Sequence, residues 1–95
     1  MAKGDTKIDA SNVANNQFLT VQPPSGEEWV ILFLSYEGSV EFYYPCDGTV
    51  EVFYDSDTGR GYFVGRIPVT NAKYLKVKNV SGAAIDIGYG AYQTK

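Results

Sequence analysis

The feature that most constrains the fold of this chain is the regular alternation of short apolar runs with turn residues. From residue 17 onward, runs rich in β-branched and aromatic residues are interrupted roughly every 8–12 residues by Gly, Pro or Asp-Gly. We therefore predict an all-β antiparallel β-sandwich of seven or eight strands, jelly-roll or immunoglobulin-like in layout, with a small Greek-key barrel as the alternative. The predicted strands cover residues 18–22, 28–36, 40–44, 49–54, 62–67, 74–80 and 83–92.

Two of these runs indicate strands inside a sheet. The segment 28–36 is apolar at both odd and even positions, which in an antiparallel sheet predicts a central strand with both faces covered. In the last run, Ile85, Ile87 and Tyr89 share one face, whereas the other face carries Asp86 and two glycines. This pattern predicts a final strand within a sheet, with an outer face bare enough for another group to pack on it.

The turns between the middle runs predict two hairpins. Glu37-Gly38 separates the runs 28–36 and 40–44, Asp47-Gly48 separates the runs 40–44 and 49–54, and Gly-containing pairs of this kind are frequent hairpin turns. In the runs 40–44 and 49–54, the even-numbered residues are mostly apolar, so we expect them to face the core.

The first 16 residues differ from the rest of the chain. They contain only Ile8 and Val13 as branched apolar side chains and end in an Asn-rich segment, which disfavours a helix because Asn side chains compete for the backbone bonds. We predict a polar N-terminal arm, residues 1–16, ahead of a single β-sandwich domain, residues 17–95. Ile8 and Val13 are its candidate contacts if the arm extends over a neighbouring subunit; a frayed tail is the alternative.

The length of the chain and its net charge argue against several classes of function. With 95 residues the chain forms one domain, and its formal net charge of −3 has the wrong sign for gripping nucleic acid or anionic lipid. The longest apolar run, 29–34, is far too short to cross a bilayer as a helix. The polar N-terminus lacks the apolar segment of a secretory signal, so we expect synthesis in a cytoplasm and no membrane partner.

The side chains that usually carry chemistry are scarce. There is no His, which removes the commonest general base, and the single Cys, Cys46, cannot form an internal disulfide. Without a neighbouring base to activate its thiol, Cys46 is expected to be structural. We predict a protein that is not an enzyme, with no catalytic residue, no metal ligand and no cofactor.

One segment suggests a metal site and then departs from the pattern. Asp55-x-Asp57-x-Gly59 resembles the start of a calcium loop, but the fifth and twelfth positions of such a loop require oxygen ligands and hold Gly59 and Arg66 here. The stretch 55–61 is instead predicted to be a mobile, solvated turn.

Aromatic residues are the strongest compositional signal, at 15% of the chain. Four of them, Trp29, Phe33, Phe42 and Phe63, are expected in the core. Tyr and Trp combine a large apolar area with a polar tip, which suits protein interfaces and sugar stacking. The residues predicted to meet a partner lie on outward positions or near turns: Tyr43, Phe53, Tyr62, Asp86 and Tyr92.

Two segments carry a resemblance to a known group of proteins. Residues 23–29 follow the pattern P-x-x-G-E-x-W, and residues 74–82 follow Y-L-x-V-x-N-x-S-G ahead of the final strand. Both patterns resemble those of small tailed-bacteriophage virion proteins, and the likeness extends over about residues 18–92.

The resemblance implies a structural role. It suggests a β-sandwich that decorates a capsid or belongs to a fibre or spike, commonly as a trimer. We therefore expect a non-enzymatic capsid decoration or cement protein of the virion, which binds the major capsid protein or other virion proteins and copies of itself. The alternative is a carbohydrate-binding module of a phage tail or spike that recognises a host surface glycan through Tyr43, Tyr62 or their neighbours.

Overall fold

The computed structural model describes residues 4–95 and contains eight β-strands. Their bounds are β1 Thr6–Val13, β2 Phe18–Val21, β3 Glu28–Tyr36, β4 Val40–Cys46, β5 Glu51–Asp57, β6 Gly61–Thr70, β7 Tyr74–Asn79 and β8 Ile85–Gln93. They form two four-stranded antiparallel sheets, which confirms the predicted all-β sandwich. In this part of the chain no helix is long and apolar enough to span a membrane.

The strand order resolves the layout left open by the sequence. Sheet A has the order β1-β8-β3-β6 and sheet B the order β2-β7-β4-β5. Every consecutive pair of strands crosses from one sheet to the other except β4 and β5, and the pairs β1–β8, β2–β7, β3–β6 and β4–β5 form one long antiparallel ribbon folded over itself. This is the jelly-roll arrangement and not the immunoglobulin one, in which more consecutive strands are neighbours.

The core lies between the two sheets and follows the alternation of the sequence. Trp29, Ile31 and Leu34 of β3 meet Leu75 and Val77 of β7 among the buried side chains, and the predicted core residue Phe42 is buried as well. Phe63 is partly buried against this cluster. Burial of these side chains removes apolar surface from water, which is the main force that holds the two sheets together.

The two strands expected inside a sheet are found there. β3 lies between β8 and β6, and β8 lies between β1 and β3. The outer face of β3 is only half-buried, so the expectation that both of its faces are covered is met in part. Phe33 lies on that outer face and not in the core; its ring covers Gly90, where an added Cβ would stand 2.0 Å from Phe33 Cε2. The Phe33 ring of β3 thus covers part of the bare face of β8.

Half of the predicted N-terminal arm is instead a strand of sheet A. Residues 6–13 form β1, which pairs with β8 over eight successive positions from Thr6↔Tyr92 to Val13↔Ile85. Backbone hydrogen bonds to β8 hold this polar segment in the sheet, so it needs few apolar side chains of its own. Val13 is 5% exposed and belongs to the core, not to an arm. Residues 1–3 of the predicted arm lie outside the described residues.

Two predictions about turns also change, and a third is confirmed. Glu37-Gly38 connects β3 to β4 across the two sheets and is a corner, not a hairpin; an added Cβ at Gly38 would stand 2.9 Å from Ser81 Cβ, so only Gly fits there. β5 extends to Asp57, which leaves 58–60 as the turn in place of the predicted loop 55–61. The hairpin at Asp47-Gly48 is confirmed between β4 and β5.

The prediction that the even-numbered residues of the run 49–54 face the core is wrong. Val50, Val52 and Tyr54 are 53%, 44% and 50% exposed, although their alternation is that of a half-buried strand. β5 is the edge strand of sheet B, its register with β4 shifts twice, and the facing edge strand β6 packs onto β7. No described strand therefore covers β5 from the other sheet.

Candidate functional site

A groove crosses the outer face of sheet A. Its floor consists of Ala10, Ser35 and Gly88, small side chains on three adjacent strands, and Tyr62 forms one wall. The groove has a volume of about 580 Å³, and the Tyr62 side chain is 75% exposed beside it. The small residues of β1, β3 and β8 therefore leave room where larger side chains would make the sheet flat. We call this feature the groove.

Polar groups surround the groove. The Asp86 carboxylate accepts a hydrogen bond from Asn12 Nδ2 at 2.9 Å, and the Asp86 backbone N–H donates to Glu37 Oε1 at 2.8 Å. These contacts tie β1, β8 and the corner after β3 together at one end of the groove. The exposed Arg60 lines the same site, so the groove offers one cation and two carboxylates beside an aromatic ring.

One hydrogen bond joins the end of β3, beside the groove, to the end of β5. The buried Tyr36 hydroxyl donates to Asp57 Oδ2 at 2.5 Å. Burial and the adjacent Asp57 carboxylate both raise the pKa of Tyr36 above its ordinary value, because each disfavours the phenolate. The hydroxyl therefore acts as a fixed donor and not as a titrating group at neutral pH.

A second surface lies on the opposite side of the sandwich. Phe18, Tyr43 and Phe53, from β2, β4 and β5, form a line across the outer face of sheet B, with ring centroids 5.9 Å apart in each pair and edge-to-face geometry. Such geometry is the favourable one for aromatic pairs. We call these three side chains the aromatic row.

Charged side chains flank the aromatic row. Lys76 Nζ lies 5.0 Å and Lys78 Nζ 5.9 Å from the centroid of the Phe18 ring. Lys76 also forms an ion pair with Glu51, whose hydrogen bond raises the pKa of Lys76. The Tyr43 hydroxyl donates to Glu41 Oε1 at 2.8 Å, and this bond is the main reason that the pKa of Tyr43 is raised. The rings are thereby held in place by their polar neighbours.

The third surface is the side of the sandwich where both sheets end in β5 and β6. β1 contacts β2 at the opposite side, so β6 and β5, the last strands of the two sheets, lie at this side of the sandwich. We call β5 and β6 the open edge. Eight large apolar side chains are exposed in the described part of the chain, and six belong to this edge or the turn leading into it: Val50, Val52, Phe53, Tyr54, Tyr62 and Val64.

The structure divides the predicted interface residues between two faces. Tyr43 and Phe53 lie together in the aromatic row on sheet B, whereas Tyr62 and Asp86 line the groove on sheet A. Tyr92 is half-buried on the outer face of sheet A, where its hydroxyl accepts a hydrogen bond from Arg66 Nη1 at 3.3 Å. One flat partner cannot contact both sets, because the sandwich separates them.

The two residues predicted as contacts of the arm lie on opposite faces of β1. Ile8 is 76% exposed on the outer face of β1, whereas Val13, at the other end of the same strand, is in the core. Their parity already differed in the sequence, since one position is even and the other odd. Strand periodicity would have placed them on opposite faces once residues 6–13 were identified as a strand.

Sequence reasoning missed several exposed residues. Val64 shares the parity of Tyr62 in β6 and could have been grouped with it. Val50, Val52 and Tyr54 could not, because their alternation matches a buried strand and only the edge position exposes them. Arg60 was assigned to a solvated turn and had no local signal for the groove.

The described residues do not form the other chemical sites considered, a metal site or a reactive thiol. No group of three or more Cys, Asp or Glu side chains in residues 4–95 is placed to hold a metal ion. Asp57 accepts hydrogen bonds from Tyr36 and from the Thr58 N–H. The Cys46 thiol is buried, and desolvation raises its pKa, so the reactive thiolate is disfavoured.

Comparison with known proteins yields structural neighbours only. No protein-family model and no curated protein sequence matches the chain. Among solved structures, the chain is similar to a subunit from Bacillus endospore appendages, described as disulfide-linked pili, at 13% identity and a TM-score of 0.47, over 100% of this chain and 96% of that one. It is also similar to the capsular polysaccharide assembling protein CapF of Staphylococcus aureus at 9% identity and a TM-score of 0.39, over 93% of this chain and 24% of that one.

Proposed function

We propose that this protein is a non-enzymatic structural component of a virion, a capsid decoration or cement protein that binds the shell and copies of itself. The observation that carries the proposal is the concentration of exposed apolar side chains on the open edge. Grouped exposed apolar surface on a small domain marks a surface that a protein partner covers. The virion setting comes from the resemblance of residues 23–29 and 74–82 to phage virion proteins.

The aromatic row is the surface that we assign to the shell. It is far from the open edge at its Phe18 end, because β2 is the opposite edge strand of sheet B. Aromatic rings with cations beside them are enriched where proteins meet, since they bury much area with few rotatable bonds. The shell contact and the contact between copies then lie at opposite ends of sheet B and share Phe53.

The proposal is tested on virus particles. An antibody against the recombinant protein should label intact particles in immuno-electron microscopy, and particles produced without this chain should recover it from solution and sediment with it. Label confined to the interior of infected cells, with none on particles, would contradict the proposal.

A pair of variants tests the assigned shell surface. Phe18→Ala shortens the aromatic row and should reduce co-sedimentation about tenfold, the effect of losing one well-packed interface aromatic. Ile8→Ala removes an exposed apolar side chain from the outer face of sheet A and should bind as the unmodified protein does. Equal binding by both variants would exclude the aromatic row as the shell contact.

A second candidate function rests on the groove. We propose as the alternative that the groove binds a neutral saccharide, since the Tyr62 ring offers an apolar face for a pyranose while Asp86, Glu37 and Arg60 offer acceptors and donors for hydroxyl groups. Binding on a glycan array that Tyr62→Ala abolishes and Tyr43→Ala leaves intact would favour this function. Loss with Tyr43→Ala alone would move the site to sheet B, and no binding would remove the alternative.

A further inference from the structure

The open edge has unused backbone as well as exposed side chains. Within residues 4–95, β4 is the only strand partner of β5, and all seven residues of β5 are exposed. The other edge strand of sheet B, β2, has only four residues. Natural edge strands are commonly protected by Pro, by Lys or by being short, because a free row of N–H and C=O groups invites another strand. β5 has no Pro and no Lys and is seven residues long; its protections are three carboxylates and two irregularities in its pairing with β4.

Charge on the open edge indicates which strand can pair with β5. β5 carries Glu51, Asp55 and Asp57 and no cation, whereas β6 and the residue before it carry Arg60 and Arg66 and no carboxylate. Pairing of β5 with the β5 of a second molecule would bring like charges together, which destabilises a cross-strand pair. Pairing of β5 with β6 brings opposite charges together.

A second copy of the chain can supply a partner strand to β5 and to β6 at the same time. β5 and β6 lie on the same side of the sandwich, so a two-fold axis along the strands places β5 of each copy beside β6 of the other. Sheet B of one copy then continues into sheet A of the second, and two eight-stranded sheets result. Such a contact is self-complementary, as a closed dimer requires.

We propose that the open edge is a self-association surface in which β5 of one copy pairs with β6 of a second copy. This inference rests on the proposed structural function and names the surface and the partner for contact between copies. The contact buries the side chains of Val52, Phe53, Tyr62 and Val64, which are 44–75% exposed in the single chain. It produces a dimer, in place of the trimer expected from the resemblance.

The first test is the mass in solution. Light scattering on a sizing column over a range of concentrations should give twice the 10.4 kDa chain mass. Val64→Asp introduces a carboxylate at a position 69% exposed in the single chain, so it should leave the fold intact and yield a monomer. Ile8→Asp, at a position 76% exposed on β1, is the matched control and should remain a dimer.

Charge reversal then tests the strand pairing itself. Asp55→Lys and Arg66→Glu should each raise the dissociation constant about fivefold, and the double variant should recover most of the loss, because it restores opposite net charges on the two paired strands. Circular dichroism of each variant checks that the fold is retained. Asp55 is chosen because Glu51 and Asp57 hold Lys76 and Tyr36 within the chain, and Arg66 is chosen because it lies within β6, whereas Arg60 precedes that strand.

The outcomes separate this inference from the function on which it rests. A chain that stays monomeric at about millimolar concentration, a trimer, or an Ile8→Asp variant that dissociates as readily as Val64→Asp overturns the β5–β6 pairing. A monomer that still labels particles overturns the pairing and leaves the virion function in place. A dimer with the expected variant pattern that never labels particles supports the pairing and contradicts the virion function.

Discussion

At the scale of single residues, Asn79 does the most to hold distant parts of the chain together. It is fully buried at the end of β7, and its side-chain Nδ2 donates to the Val13 carbonyl at 2.8 Å and to the Ala83 carbonyl at 2.6 Å. Its Oδ1 accepts from the Ser81 N–H at 2.9 Å. The Asn-x-Ser-Gly segment that supported the resemblance is therefore a structural junction between β1, β7 and the turn before β8.

Loss of this junction should be costly. Asn79→Ala removes three hydrogen bonds and leaves the Val13 carbonyl without this buried donor, so we expect the free energy of unfolding to fall by about 3 kcal/mol. Asn71→Ala is the matched control, because Asn71 also donates to a carbonyl, that of Pro23, but is exposed to water. It should cost about 1 kcal/mol or less. Urea unfolding measures both, and equal losses would contradict the assigned role of Asn79.

The Tyr36–Asp57 hydrogen bond predicts a dependence of stability on pH. The pKa of Tyr36 is raised in the folded chain above its ordinary 10.0, so the folded state keeps a proton that the unfolded state loses. Stability from this group is complete below pH 10 and declines as pH rises beyond it, by about 1.4 kcal/mol per pH unit.

Tyr36→Phe isolates this contribution. Without an ionisable group at position 36, the free energy of unfolding should decline less steeply above pH 10, although the variant is less stable at pH 7 because Asp57 loses its donor. Urea unfolding at pH 7 and at several values between pH 9 and 11 provides the comparison. Parallel curves for the two proteins would show that Tyr36 does not contribute to the alkaline loss.

At the scale of elements, β1 is the strand that the amino-acid pattern does not predict. Six of its eight residues are exposed, yet it covers one side of β8 along its whole length and supplies Val13 to the core. Sheet A without β1 would end in β8, whose inward residues Ile85 and Ile87 would lose their neighbour.

Deletion of residues 1–13 should therefore abolish cooperative folding. The shortened chain loses eight strand pairings and one buried Val, and it exposes a long apolar edge that invites aggregation. Ile8→Ser, on the outward side of the same strand, should leave the melting temperature within a few degrees of the original. Thermal unfolding by far-UV circular dichroism tests both, and a shortened chain that melts near the full-length temperature would contradict the role of β1.

At the scale of the whole molecule, one core serves both sheets, and the single Trp reports on it. Trp29 is 6% exposed, its Nε1 donates to Glu27 Oε1 at 3.1 Å, and Lys7 Nζ lies 5.6 Å from its ring. The ring thus contacts residues from β1 and the turn before β3 as well as the core between the sheets.

We expect one cooperative unfolding transition. Trp29 emission should be blue-shifted in the native protein, and its change in urea should coincide with the change in far-UV circular dichroism, with a slope of about 1 kcal/mol per molar urea for a domain of this size. Saccharides should not quench this emission, because the ring is buried away from the groove. Two separate transitions would show that one sheet or edge unfolds independently.

Local structure follows from the order of the amino acids. Alternation of apolar residues and the positions of Gly, Pro and Asp-Gly located seven of the eight strands within a few residues, and they placed β3 and β8 inside a sheet. This succeeded because strand periodicity and turn chemistry act on neighbouring residues. It failed for β1, whose stability comes from backbone bonds to a strand more than 70 residues away.

Which surfaces are exposed depends on how the strands pair and how the two sheets pack. Val52 and Val40 have the same local pattern, yet one is 44% exposed on an edge strand and the other is fully buried on an inner one. Backbone hydrogen bonds that pair strands are the same for every residue type, so the pattern of side chains gives the face of a strand but not its neighbour. The groove, the aromatic row and the open edge are consequences of that pairing, since each brings together side chains from strands that are distant in the chain.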